Sequence, residues 1–270
     1  MSSLRYFPTV CLTGLVLLIS GCDAFSGKTV ATLCEEHPEL CSDLNPDSWC
    51  RAEKANIIKE RYDHQGGYSE KDKYRLILFF EDYQACIGEA KQIRHIKLRE
   101  KENGRMKGFL TAQSELKRLA QETRHSNNPY LAYYQWSRHG HEDSLKRFLY
   151  QARSGKLDSA ELYVLLATYQ AKLDTGQAIN SLYTALSLYT QDETVDPEIF
   201  ASLYTLHQQR GSTDQAITWG LIGSEFEVNN VNRAELQSMA QAYGLDIDKL
   251  ESKADAILDR IESREFSFSG

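Results

Sequence analysis

The chain has 270 residues, 31 Lys and Arg against 38 Asp and Glu, a net charge of −7, and six cysteines among 41% hydrophobic residues. An acidic balance argues against broad nucleic-acid affinity. The length suffices for one large or two small domains with a real core, and only five prolines favour long helices.

Arg5 is the only charge before Cys22, and Tyr6 to Ile19 is an unbroken uncharged run. It is shorter than the roughly 20 apolar residues that a spanning helix needs. The run closes on Ile19-Ser20-Gly21-Cys22, which resembles the lipobox of bacterial lipoproteins. The resemblance implies that residues 1–21 are a signal peptide removed by cleavage before Cys22. Acyl chains such as palmitate on Cys22 would then be the sole membrane attachment, since two or more chains anchor stably where one binds reversibly. It also implies a body facing the periplasm. Asp23 resembles the signal that retains lipoproteins in the inner membrane; the inner face of the outer membrane is the competing address. Without residues 1–21 the chain carries 30 basic against 38 acidic residues, a net of −8.

Residues 22–47 read as the lipidated cysteine and a tether, because they lack sustained periodicity and contain Gly27, Pro38, Asn45 and Pro46. Cys34, Cys41, Cys50 and Cys86 are an even set suited to an oxidising compartment. Three pairings are open. The favoured one joins Cys34 to Cys41 across a short loop and Cys50 to Cys86 across two helices. Structural zinc is the rival, but Cys-x6-Cys-x8-Cys lacks the spacing typical of such sites.

Residues 48–127 are expected to be helical. Ile57, Ile58 and Tyr62 share a face, His64-Gln65-Gly66-Gly67 breaks the pattern, and Ser69-x-x-Asp72 has the form of a capping box. Leu76, Phe79, Phe80, Tyr83, Ile87, Ala90 and Ile93 then follow the spacing of one buried face. Residues 86–124 hold ten Lys and Arg against five Asp and Glu, a net of +5. That segment reads either as a patch for anionic headgroups or an acidic partner, or as a solvated helix face.

Residues 128–264 read as repeats. Asn128-Pro129 pairs a cap residue with proline in a first helical turn. Ser144, Ala178, Ala216 and Ala254 recur at intervals of 34, 38 and 38 residues, the period of stacked helical hairpins. Leu165, Leu166 and Tyr169 followed by Ala178, Leu182 and Ala185 resemble the tetratricopeptide pattern. Phe200, Leu203, Gly211, Ala216, Gly220 and Gly223 form a second unit, with Tyr204 where the family has a small residue and His207 where it has tyrosine. Asp174-x-x-Gln177, Asn232-x-x-Glu235 and Asp196-Pro197 look like helix starts, and Gly155, Gly211 and Gly244 like stops. The expected fold class is all-α: a tetratricopeptide-like α-solenoid preceded by a disulfide-stapled helical hairpin, with residues 265–270 as a tail. A non-repeating bundle is the alternative.

No HExxH, GxSxG, Walker or dinucleotide fingerprint appears. Arg138-His139-Gly140 reproduces the tripeptide of the histidine phosphatases, but Glu142 stands where that family has arginine. His139-x-His141-Glu142-Asp143 reads as a solvated turn ahead of a metal site. Hence no cofactor, metal or small-molecule substrate is expected. Fifteen tyrosines exceed the needs of repeat packing, and tyrosine favours recognition surfaces. Tyr133, Trp136, Thr168, Gln170, Tyr204 and Gln208 are therefore the candidate partner-binding row. The expected function is a lipid-anchored periplasmic adaptor that binds another envelope protein or peptide and is not an enzyme; the alternative is a cell-envelope enzyme, for example one acting on cell wall. The arrangement also resembles uncharacterised lipoprotein families of unknown function.

Overall fold

The computed structural model describes residues 28–93, 99–226, 228 and 231–268. The expectations for the leader, Cys22 and Asp23 lie outside these residues. Every regular element among the described residues is helical, and none of those helices is long and apolar enough to cross a membrane. The chain divides into two compact units, one from residues up to Gln65 with Tyr83–Thr111, the other from Gly66–Asp82 with residues from Ala112 onwards.

The first unit begins with α1 (Val30–Glu36), capped by Thr29, whose hydroxyl accepts from the N–H of Thr32 at 3.2 Å. A 3-10 turn (Pro38–Leu40) and α2 (Arg51–Asp63) follow, joined by the ends of two long helices, α3 (Glu70–Ala90) and α4 (Arg99–Glu122). Both favoured disulfides form: Cys34–Cys41, seven residues apart, and Cys50–Cys86, 36 apart. The tether expected over 22–47 is corrected from residue 30 onwards. Leu33, Leu40, Leu44 and Asn45 are buried there. The leucines stand seven and four residues apart, but Pro38 and the turns after it prevent one continuous helix, so the Cys34–Cys41 closure and the opposing helices reveal them as core.

Asn45 is the hub of this unit. Its N–H donates to the Tyr83 hydroxyl at 3.0 Å, which in turn donates to Asn45 Oδ1 at 2.8 Å. Burial pushes the Tyr83 phenol up to about 12, so it remains a donor. Gly108 of α4 exists for this contact, because a Cβ there would meet the Tyr83 oxygen at 2.2 Å. Buried Arg105 binds Asp47 at 2.7 Å and the Ala90 carbonyl at 3.0 Å.

In the second unit the expected capping box closes reciprocally: Ser69 N–H donates to Asp72, and Asp72 N–H to the Ser69 hydroxyl. Three hairpins follow, α5 (Pro129–His139) with α6 (Glu142–Arg153), α7 (Ala160–Gln170) with α8 (Thr175–Leu188), and α9 (Glu198–Gln209) with α10 (Thr213–Glu225). Two further helices, α11 (Arg233–Ala242) and α12 (Ile247–Glu262), pack on α10. Neighbouring helices stack as in a solenoid. Ser144, Ala178, Ala216 and Ala254 fall on α6, α8, α10 and α12, and all four are buried, which is why small side chains recur there.

Asn128, Asp174 and Asn232 cap α5, α8 and α11 through their side chains. Gly155, Gly211 and Gly244 take φ of 64°, 71° and 65° just past helix ends, a conformation glycine adopts without a Cβ penalty. Residues 265–268 of the expected tail are strapped back. Glu265 and Phe266 N–H donate to the Arg260 carbonyl, Arg264 bonds the carbonyls of Thr190 and Glu193, and Phe266 packs against the core.

Candidate functional site

A groove of about 500 Å³ in the second unit lies between the first helices of two repeats. One wall is Val164, Ala167 and Thr168 of α7 with Ala171 just past its end; the other is Glu198, Ala201, Ser202, Tyr204, Thr205 and Gln209 of α9. The two walls correspond across the repeat: Ala167 and Ala201, Thr168 and Ser202, and Ala171 and Thr205 are each 34 residues apart. Small side chains at equivalent positions keep both walls low and leave the groove open. Its polar groups are hydroxyls, one amide and one carboxylate. Thr168 and Thr205 turn their hydroxyls onto the carbonyls of Val164 and Ala201 at 3.0 and 2.9 Å, so each keeps only acceptor capacity for a ligand.

The candidate row is brought together in part. Thr168 and Tyr204 line the groove. Gln208 is exposed one turn along α9 and donates to the Tyr204 hydroxyl at 2.8 Å. Burial raises the Tyr204 phenol, with the Gln208 bond opposing it. Tyr133 is a correction: it is 9% exposed and packed edge-on against Trp136 and Phe148 at 5.5 and 5.2 Å. Half-buried Trp136 meets Tyr169 edge-on at 5.4 Å. Gln170 is the second correction. It occupies the position equivalent to Tyr204, yet its Oε1 accepts from the buried Ser181 hydroxyl at 2.6 Å, which turns it towards α8 and away from the groove. Sequence reasoning missed Ala167, Ala171, Ala201, Ser202 and Thr205. The signal was present in their 34-residue pairing, which becomes visible once the first helices are aligned as the second ones were.

Behind α9 lies a hydrogen-bonded relay. Trp219 Nε1–H donates to the Tyr183 oxygen at 3.1 Å, and the Tyr183 hydroxyl shares a hydrogen bond with His207 Nε2 at 2.8 Å. The other ring nitrogen of His207, Nδ1, is buried without a partner. Burial lowers the His207 pKa, Arg210 and Lys253 push the same way, and Asp214 opposes them. His207 thus fills the family's tyrosine position as a neutral core group.

At the α5–α6 turn Gly140 ends α5 with φ 67°, and the rings of His139 and His141 lie 6.0 Å apart. Among the described residues these histidines belong to no group of three ligand atoms close enough to share a metal ion. Cys50 and Cys86 approach Glu53, but their sulfurs are spent on each other.

Several cations of the segment 86–124 are engaged internally among the described residues. Arg105 is buried, Lys107 bonds the Ser42 carbonyl, Lys91 lies over the Phe109 ring, and Arg118 is held by Glu115 and Glu122.

A family model described as protein of unknown function (DUF2989) matches residues 19–221. None of the curated proteins and none of the solved structures matches the chain.

Proposed function

The chain belongs to the DUF2989 family of unknown function, and from that premise we propose that it is a lipid-anchored periplasmic adaptor holding a segment of another envelope protein in the α7–α9 groove. The observation that carries the reading is the groove itself: neutral walls of small residues, matched across two repeats, with Tyr204 at one edge and Glu198 at the start of α9. Low walls admit a backbone, hydroxyls satisfy its amides, and a single carboxylate favours a segment carrying one Lys or Arg. Converging ionisable groups of the kind that acid–base chemistry needs are not what this lining offers, so the reading is binding rather than catalysis. The Ile19–Cys22 pattern and the two disulfides support the exported, anchored address.

The test is photocrosslinking in intact cells from a probe at Ser202, with a second probe at the exposed Tyr243 as control. A discrete crosslink from Ser202 that disappears on Ala201→Trp, while the melting transition stays in place, is the expected result. Crosslinks that survive groove filling overturn it. Anchoring is tested separately: Cys22→Ser should abolish lipid labelling and membrane fractionation, and normal labelling of that variant would refute the anchor.

A further inference from the structure

On the first unit a second groove, about 410 Å³, opens beside the Cys34–Cys41 bridge. Val30, Pro38 and Pro46 give it an accessible apolar lining over buried Leu44 and Ile58, and Arg51 and Lys54 add two cations. Two carboxylates of the same stretch are paired elsewhere, since Asp43 receives two bonds from Arg61 at 2.8 Å and Asp47 one from Arg105. Arg51 has no carboxylate partner among the described residues. Lys54 spends two N–H groups on the carbonyls of Asn45 and Asp47, leaving one of its three donors. In the same stretch Trp49 is 46% exposed, and an apolar ring with an N–H edge suits the boundary between headgroups and acyl chains.

Chain length then limits what can face this groove. Cys22 and Val30 are eight residue steps apart, and at about 3.5 Å per step Val30 stays within roughly 28 Å of the cysteine. If Cys22 is in the bilayer, the groove is within reach of the lipid surface, where a local excess of positive charge is favourable against anionic headgroups.

We propose that this face of the first unit docks on the bilayer, with the phosphate of an anionic phospholipid on Arg51 and Lys54 and the upper part of an acyl chain against Val30, Pro38 and Pro46. The proposal rests on the anchored reading of Cys22. Docking orients the body, so that a short link gives the adaptor a defined pose on the membrane.

The experiment uses the mature, membrane-extracted protein in vesicles of phosphatidylcholine, alone or mixed with phosphatidylglycerol, whose acyl chains carry bromine as a tryptophan quencher. Subtracting the Trp49→Phe variant isolates Trp49 emission. Quenching in the mixed vesicles and little in phosphatidylcholine alone is expected, and Arg51→Gln should reduce the docked fraction about fivefold, equivalent to the ~1 kcal/mol contributed by one basic residue near an anionic surface. Acylated Cys22 with Trp49 still open to aqueous iodide overturns the docking alone. Unacylated Cys22 overturns both readings. Quenching by dissolved lysophosphatidylglycerol but not by vesicles also overturns docking, in favour of carriage of a single lipid.

Discussion

Tyr83→Phe removes one oxygen from the centre of the first unit, and its cost can be worked from two bonds. Tyr83 is fully buried and Asn45 is 3% exposed, so neither the Asn45 N–H nor its Oδ1 can turn to bulk water. A buried group stranded in this way costs about 1–3 kcal/mol, which puts the variant at roughly 2–6 kcal/mol for the two. Gly108→Ala attacks the same oxygen from the other side: its Cβ would lie 2.2 Å from the hydroxyl and 3.0 Å from the Asn45 nitrogen. The alanine must displace the hydroxyl, breaking the same two bonds. With the oxygen already gone, most of that clash disappears, so the double variant should cost less than the sum by about 1–3 kcal/mol. Urea unfolding of the four proteins, followed by near-ultraviolet dichroism, measures the cycle. Strict additivity, or a Tyr83→Phe cost within about 0.5 kcal/mol of zero, would show that the hydroxyl is not the hub described above.

The disulfides should rank by the loop each closes: replacing Cys50 and Cys86, 36 residues apart, costs about 4 kcal/mol, and Cys34 and Cys41, seven apart, about 2 kcal/mol. The reverse order in oxidised denaturation curves would contradict this. Acid should weaken the second unit through His207, whose folded pKa lies below the unfolded value of about 6.5. The unfolded chain binds the proton more readily, so stability is complete above about pH 6.5 and declines as pH falls below it. His139 is lowered by burial and by His141 and shifts the curve in the same direction. The His207→Phe variant retains that part, so a pH slope of melting no shallower than that of the parent protein would refute the role given to His207.

Much of this protein was legible from periodicity and punctuation. The Ser69–Asp72 box, the caps at Asp174 and Asn232, the glycine stops and the small residues from Ser144 to Ala254 each act within a few residues or repeat at fixed intervals. A local rule therefore finds them. Pairing Cys50 with Cys86 needed only two antiparallel helices around the Gly66–Gly67 break.

What tertiary structure decided lies where one side chain has two possible partners. Gln170 and Tyr204 occupy equivalent repeat positions, yet a buried Ser181 hydroxyl claims the first while the second stays at the groove. Tyr133 has the chemistry of a recognition residue but spends its ring on Trp136 and Phe148. Residues 30–47 form no single continuous helix, and Asn45 among them is held in the core by Tyr83 from 38 positions away. Helix type and repeat register follow from local chemistry, which the sequence contains. Which face of a residue is left for a ligand depends on packing between residues far apart in the chain, and only the folded protein specifies it.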